Sequence, residues 1–343
     1  MRGVIYHGPR DIRVEELPVP DPRAGEVVVK VGAALTCGTD FKAYRQGHRV
    51  LLGDYPSPFG HELAGTVSAV GAGVTNVREG DRVVVANSAP MDDCFWCTHG
   101  QNHLCPRLKL HNGAYAEYDR VPPHIVRSNL VPLAAGVPFE VGALAEPFST
   151  TIHAAEVMGV RAGELCLVLG AGPMSLMLIH ALTARGARVA VLGRSKPHLE
   201  TALLAGAEAA FSADDAPTAD VEARVRAWAG GRGPDHVFEA VGKPDTHLQA
   251  ISIVRDGGKV CLFGGCAQGA SIPLDLHRVH YKQLTLQGVF HHTPPHFREA
   301  VRLLSEGKVK TSLIIHGEVA LADLPRFFAE NADKSVPKAV VRP

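Results

Sequence analysis

One stretch near the middle of the chain constrains the architecture more than any other. Leu165–Leu169 is an unbroken apolar run, Gly170-Ala171-Gly172-Pro173-Met174-Ser175 follows at once, residues 174–185 have helical character, and a second apolar run fills 188–192. An apolar run without alternation suits a strand buried on both faces, and strand, helix, strand at this spacing predicts a βαβ unit with parallel strands. Further strand candidates at His236–Glu239 and 259–263 each follow a helical or turn segment. The prediction is an α/β fold in which a doubly wound parallel sheet spans 148–288.

The glycine-rich turn sits where such a fold binds a dinucleotide. Gly170 permits the tight turn, Gly172 lets the backbone approach a pyrophosphate, and Pro173 and Met174 open the helix whose positive N-terminus faces that anion. The third position of the fingerprint, a glycine by rule, is Ser175 here; it needs only to be small. An ordinary glycine turn is the alternative, and the strand before it and the helix after it favour the dinucleotide. The second strand ends in Gly193-Arg194-Ser195-Lys196 and lacks the Asp or Glu that holds the ribose hydroxyls of NAD. An uncrowded glycine, a guanidinium, a hydroxyl and an ammonium suit a 2′-phosphate, so NADP is preferred over NAD. If Arg194 and Lys196 are only solvated loop charges, cofactor choice is loose.

From residue 2 to about 145 the texture is different. Short β-rich runs such as 26–31 and 81–85, punctuated by Gly and Pro, predict a compact β-barrel or sandwich. Within it stand Cys37-Gly38-Thr39-Asp40, Gly60-His61-Glu62 and, at its end, Glu146-Pro147-Phe148. A thiolate, an imidazole and one or two carboxylates are what a tetrahedral zinc with an exchangeable position requires. Singly, Cys37 could be a small buried hydrophobe, His61 a core histidine and the glutamates surface charges.

Together these motifs resemble the zinc-dependent medium-chain alcohol dehydrogenase superfamily, nearest its polyol (sorbitol-like) and threonine dehydrogenase branches, over essentially the whole chain. The resemblance implies a GroES-like catalytic domain over 1–147, completed by 289–343, and a Rossmann domain over 148–288. It implies that Cys37 and His61 bind a catalytic zinc, with Glu62 and Glu146 completing the sphere directly or through water and exchanging during turnover. Thr39 would begin a proton relay. Where many relatives carry a histidine this chain has Lys42, a relay candidate that reads equally as a plain surface lysine, so His48 or Tyr44 is left as the relay's end, and Asp40 is read as an orienting neighbour. Cys94, Cys97 and Cys105 fall on three of the four cysteine positions of the family's structural-zinc lobe. Met91 stands at the first, a poor zinc ligand. Asp92, Asp93, His99 or His103 could substitute, or the lobe could be metal-free.

Composition bounds the rest. The 343 residues carry 35 Lys plus Arg against 35 Asp plus Glu, a formal charge of zero that gives no field to hold nucleic acid or anionic lipid. No signal core is expected near Arg2, His7 and Arg10, the longest apolar stretch is broken by Gly and Pro, and 7 cysteines, three within twelve residues and the rest scattered, fit thiols or ligands rather than disulfides. The expectation is a soluble, cytoplasmic enzyme with no membrane or nucleic-acid partner, forming a homodimer or homotetramer by resemblance. Its substrate is a small-molecule secondary alcohol: a polyol, sugar alcohol or amino alcohol, with threonine 3-dehydrogenase as the nearest alternative. A nucleotide-binding redox sensor without alcohol chemistry, acting through Cys94, Cys97 and Cys105, is the reading from another class. His291, His292 and His296 are taken as surface histidines without a carboxylate partner, Cys166, Cys261 and Cys266 as core, and Tyr44, Phe59, Phe148 and Phe290 as pocket-lining side chains.

Overall fold

The computed structural model describes the chain apart from residues 92, 216 and 333–337 and the side chain of Val50. It divides into two compact units, one made of Met1–Ser149 with His292–Pro343, the other of Thr150–His291.

The Thr150–His291 unit is built on a six-stranded parallel sheet. Its order is Ala209–Ser212, Arg188–Gly193, Leu165–Leu169, His236–Glu239, Lys259–Leu262, Thr285–Gly288. Numbered along the chain this is 3-2-1-4-5-6, the doubly wound order, with the first strand at the centre. All five residues of Leu165–Leu169 are buried, as an apolar run without alternation requires. Pro173 starts the helix Pro173–Ala184, and every residue from Ser175 to Leu182 is buried, because this helix is apolar all round. Leu167, Val237, Val260 and Ile253 belong to one apolar cluster, each fully buried side chain contributing about 1.5–3 kcal/mol. Cys166 and Cys261 are buried in strands, but Cys266 lies beyond the end of Lys259–Leu262 and is only half-buried, so it is a loop residue and not core.

In the other unit Val27–Leu35 is the organising strand. Leu63–Val70, Arg82–Val85 and Leu130–Pro132 extend the sheet antiparallel on one side, and Tyr118–Val121 also pairs with Val27–Leu35. On the other side come Lys338–Arg342 and then Ile315–Ala320, so the end of the chain is stitched into the sheet begun by its start. A smaller sheet joins Asp11–Glu16, Arg2–Gly8 and Ser57–Pro58. Phe59, fully buried, packs against Tyr6, Tyr115 and Phe328, and Tyr44 against Phe328; these rings are core, not an open pocket wall. Phe148 is buried too, whereas Phe290, in the Thr150–His291 unit, is exposed. The helix Pro294–Ser305 buries His296 beside Phe297 on its inner face, and His292 is fully buried against the Phe297 ring. The reading of these two histidines as surface residues is therefore wrong. No helix among the described residues is long and apolar enough to cross a membrane.

Candidate metal centre and dinucleotide turn

Two chain segments meet in the first unit at a cluster whose His61 and Glu62 are buried and whose Cys37 is half-buried. Cys37 ends the extended stretch after Val27–Leu35 and is the N-cap of the helix Gly38–Gln46. His61 and Glu62 directly precede Leu63–Val70, the neighbour of Val27–Leu35 in the sheet. The ligand atoms of Cys37, His61 and Glu62 lie within 4.8 Å of one another. Around one tetrahedral zinc with bonds of about 2.0–2.3 Å they would stand roughly 3.3–3.8 Å apart, so the donor set fits the ion with small adjustments. Gly60 sets the approach of His61: its φ is +84°, and a Cβ there would stand 2.7 Å from the Tyr115 ring.

Asp40 fastens the cluster. One carboxylate oxygen accepts the Cys37 backbone N–H at 3.1 Å and the Tyr115 hydroxyl at 2.5 Å, while the other faces His61 Nδ1 at 3.0 Å. Asp40 and Tyr115 are fully buried, so the pair cannot relax into water. Nδ1 held against a carboxylate leaves Nε2 for a metal, the usual carboxylate–histidine–metal arrangement. Burial opposes charge on the His61 imidazole, yet Asp40 and Cys37 hold its pKa well above the ordinary value: several anions converge where a cation is wanted. Glu146, buried in the first turn of the helix Ala145–Val157, has its carboxyl lifted to about 7, by burial first and then by Glu62 and Asp40. A dication would reverse that penalty. Glu146 also lies within 4.8 Å of a ring nitrogen of His292, the carboxylate neighbour that the sequence did not reveal.

Two members of this centre were not visible in the sequence. Tyr115 is one. The other is Lys338, buried at the start of Lys338–Arg342, whose ammonium donates to both Glu62 oxygens, at 2.7 and 2.5 Å, and to the Thr36 carbonyl at 3.0 Å. Burial would lower the Lys338 pKa, but Glu62 and Cys37 keep it raised and the group charged.

Thr39 is half-buried in the first turn of Gly38–Gln46, and Lys42, half-buried, lies one turn further along the same helix. His48 caps the short helix Arg49–Leu52: its Nδ1 accepts the Leu51 N–H at 3.1 Å, and burial lowers the ring's pKa. The ring proton then sits on Nε2 and no lone pair is left for a relay.

In the lobe, Cys94, Cys97 and Cys105 bring their sulfurs within 4.8 Å of one another, with Cys94 and Cys105 at 3.5 Å. The backbone N–H of Cys97 lowers the Cys94 pKa, while burial raises Cys105 to about 11. No fourth metal-binding side chain joins them among the described residues. Asp93 pairs with Arg107, and His99 stacks on Phe95 with Nδ1 on the Phe95 carbonyl. Asp92 lies outside the described residues.

In the second unit the glycine turn has the shape its motif implies. Gly170 has φ +108°, and a Cβ there would press on Ser175 Oγ and Val241 at 3.2 Å. Gly172 is the N-cap of Pro173–Ala184 in an extended conformation, and a Cβ on it would meet nothing within 4 Å. The first glycine therefore serves the fold, and the second leaves open space at a helix N-terminus, room that a pyrophosphate fits. Arg194 and Lys196 are exposed beyond Arg188–Gly193, Ser195 caps Lys196–Ala205, and Arg194 Nε lies 3.7 Å from Asp214. Gly193 is crowded rather than open: a Cβ would stand 3.1 Å from Ala171 and 3.3 Å from Leu199.

Comparison with known proteins agrees in both units. Residues 23–132 match the profile of the alcohol dehydrogenase GroES-like domain, and residues 173–306 that of the zinc-binding dehydrogenase domain. The chain is 30% identical over 331 residues to the sorbitol dehydrogenase of Bacillus subtilis, covering 94% of this chain and 90% of that one. It is 30% identical to the L-threonine 3-dehydrogenase of Bacillus velezensis, over 92% and 90% of the two chains. A Sinorhizobium meliloti protein described as a zinc-binding dehydrogenase, solved with NADP bound, superimposes with a TM-score of 0.90 at 25% identity, over 100% of this chain and 99% of that one.

Proposed function

We propose that this chain, which belongs to the zinc-dependent medium-chain alcohol dehydrogenase superfamily and is a zinc-dependent polyol or alcohol oxidoreductase using NAD or NADP, oxidises the secondary carbinol of a polyol or sugar alcohol with NADP as the preferred acceptor. The observation that carries this reading is the cluster of half-buried Cys37 with buried His61 and Glu62, with Asp40 behind it, in the same chain as a glycine turn that leaves space at a helix N-terminus.

When bound, zinc supplies Lewis acidity at an alcohol oxygen and the nicotinamide takes up the hydride. Cys37 and His61 hold the metal, with Glu146 and Glu62 as its carboxylate ligands. Asp40 orients His61 and Cys37, and Tyr115 holds Asp40 in place. Thr39 takes the alcohol proton as it gives up its own, and Lys42, one turn along the same helix, is the candidate next member, which accepts a proton only in its uncharged form. His48 is not the end of this relay, because its Nδ1 is already engaged. Gly170, Gly172, Pro173 and Met174 receive the pyrophosphate. Gly193, Arg194, Ser195 and Lys196 receive the 2′-phosphate, with Arg194 released from Asp214 to do so.

The lobe of Cys94, Cys97 and Cys105 holds at most a second, weaker zinc, because only three sulfur ligands meet there. The protein works as a cytoplasmic homodimer or homotetramer, with a catalytic domain over 1–147 and 289–343 and a cofactor domain over 148–288. An absorbance assay of reduced nicotinamide with polyols, sugar alcohols, threonine and simple secondary alcohols, each with NAD+ and NADP+, tests the reading. Turnover of a polyol with a lower KM for NADP+ supports it; turnover of threonine alone assigns the chain to the amino-alcohol branch.

A further inference from the structure

The three thiols of the lobe are a poor fit to a structural zinc, and the local chain shows what they suit better. Cys94 is the N-cap of the short helix Phe95–Thr98 and Cys97 lies three residues on, so one helical turn sets both thiols side by side. Gly100, with φ +72°, turns the chain back, the tight turn Asn102–Leu104 follows, and Cys105 returns to the pair. The Gln101 N–H donates to the Trp96 carbonyl at 2.8 Å and the Cys105 N–H to the Asn102 carbonyl at 3.1 Å, so backbone hydrogen bonds close this loop. All three sulfurs lie within 4.8 Å of one another, Cys94 and Cys105 at 3.5 Å. Three sulfurs in one plane around an ion, with bonds of about 2.3 Å, would stand roughly 4 Å apart, so small adjustments close the cluster on it. A fourth strong donor is what the lobe lacks. Asp93 is paired with Arg107, and His99 Nδ1 lies on the Phe95 carbonyl at 2.7 Å. Met91, whose carbonyl accepts from Arg107 at 3.4 Å, brings only a thioether, a soft donor of little use to zinc.

We propose that the lobe is a soft-metal site that takes one copper(I) ion on Cys94, Cys97 and Cys105. Copper(I) is monovalent and thiophilic, and three thiolates complete its sphere, whereas the same three leave zinc one ligand short. On binding, three thiols release their protons to solvent as three copper–sulfur bonds form, and no electron is transferred. The site shares no residue with the Cys37, His61 and Glu62 cluster, so it stands or falls apart from the catalytic reading. No residue of Phe95–Thr98 is buried, so substitutions in the lobe leave the core intact.

The test uses the full-length protein carrying Cys37→Ser, which takes the catalytic cluster out of the count, kept reduced and free of oxygen. It is loaded with copper(I) in the presence of a competing copper(I) chelator, desalted and analysed for metal. It should keep close to one copper per chain, and X-ray absorption at the copper edge should show three sulfur neighbours. Cys94→Ser, Cys97→Ser and Cys105→Ser, each added to this protein, should lose that copper, whereas copper held on half-buried Cys266 would survive all three. The same protein loaded with zinc should give it up to a zinc chelator, and Met91→Cys, which supplies a fourth thiolate, should keep it. Copper lost to the chelator, a sphere of two sulfurs, or copper that survives the three serine variants overturns the inference. So does zinc held as firmly with Met91 as with Met91→Cys, or a Cys94–Cys105 disulfide found in the reduced protein by peptide mass analysis. If a lobe variant does not fold, the sulfur count in the parent protein decides alone.

Discussion

Replacing Gly172 and Gly170 separately with alanine separates a glycine needed for a ligand from one needed for the fold. Gly172 has φ −83° and ψ −176°, which any residue adopts, and the added methyl meets nothing within 4 Å. The fold should tolerate it and gain about 0.4–1 kcal/mol from a less flexible unfolded chain. At about 2–4 °C per kcal/mol for a unit of this size, Tm should stay level or rise slightly. The same methyl occupies the space where a pyrophosphate reaches the helix N-terminus, and a steric intrusion of about 1–3 kcal/mol weakens dinucleotide binding roughly 10- to 100-fold. Gly170 behaves oppositely. At φ +108°, with Ser175 Oγ and Val241 at 3.2 Å from the new Cβ, alanine should cost about 1–3 kcal/mol and lower Tm by several degrees. Thermal unfolding and titration of NADPH fluorescence, run on both variants, give the comparison. A Gly172→Ala protein that binds NADPH like the wild type would refute the assignment of this turn to a pyrophosphate.

Arg194→Ala should raise the KM for NADP+ about tenfold and leave that for NAD+ nearly unchanged, measured as initial rates with each acceptor, since one charge-assisted contact is worth roughly 1.5 kcal/mol. The change is cleaner than adding a carboxylate at Gly193, where a new Cβ would crowd Ala171 and Leu199. Half-buried His111 and buried His236 should give opposite pH dependences of stability. Burial lowers His111, but Asp119 more than offsets it and raises its pKa; its contribution is complete below about pH 6.5 and lost as pH rises through the folded value. Burial dominates at His236 and lowers its pKa in spite of Glu164; its contribution is complete above about pH 6.5 and lost as pH falls through the folded value. Tm measured from about pH 5 to about pH 8 should show the His111→Gln deficit shrinking towards high pH and the His236→Gln deficit shrinking towards low pH. Met91→Cys should raise tightly held zinc by close to one ion per chain, read by metal analysis after dialysis, because it supplies the fourth thiolate.

What the sequence discloses depends on how local the information is. Leu165–Leu169 and His236–Glu239 are continuous apolar or β-rich runs bounded by turns, and their limits could be read to the residue. Another limit slipped by one position, that of Pro173–Ala184, because a helix end depends on capping more than on hydrophobicity. Cys37 and His61 stand in short polar strings that no strand needs, so they could be singled out, and the fold brings them together. Tyr115 lies between Ala114 and Ala116 and Lys338 precedes Ala339-Val340-Val341, contexts that any strand can have. Only the pairing of Val340 with Leu35 brings that lysine to Glu62. His292 and His296 went astray for a related reason: histidine has no fixed preference for core or surface, and the inner face of Pro294–Ser305 took His296 in. Asp214, beside Arg194, comes from the loop after the neighbouring strand, a contact the strand order creates.

Everything proposed for this chain's chemistry depends on a metal held by Cys37 and His61 driving alcohol oxidation. The most direct measurement follows reduced nicotinamide formation from a polyol substrate in wild-type and Cys37→Ser protein, with dinucleotide affinity measured on the same samples. Cys37→Ser should abolish turnover while dinucleotide affinity stays close to the wild-type value, because the metal ligands and the glycine turn belong to different units of the chain. Turnover that survives Cys37→Ser would contradict it.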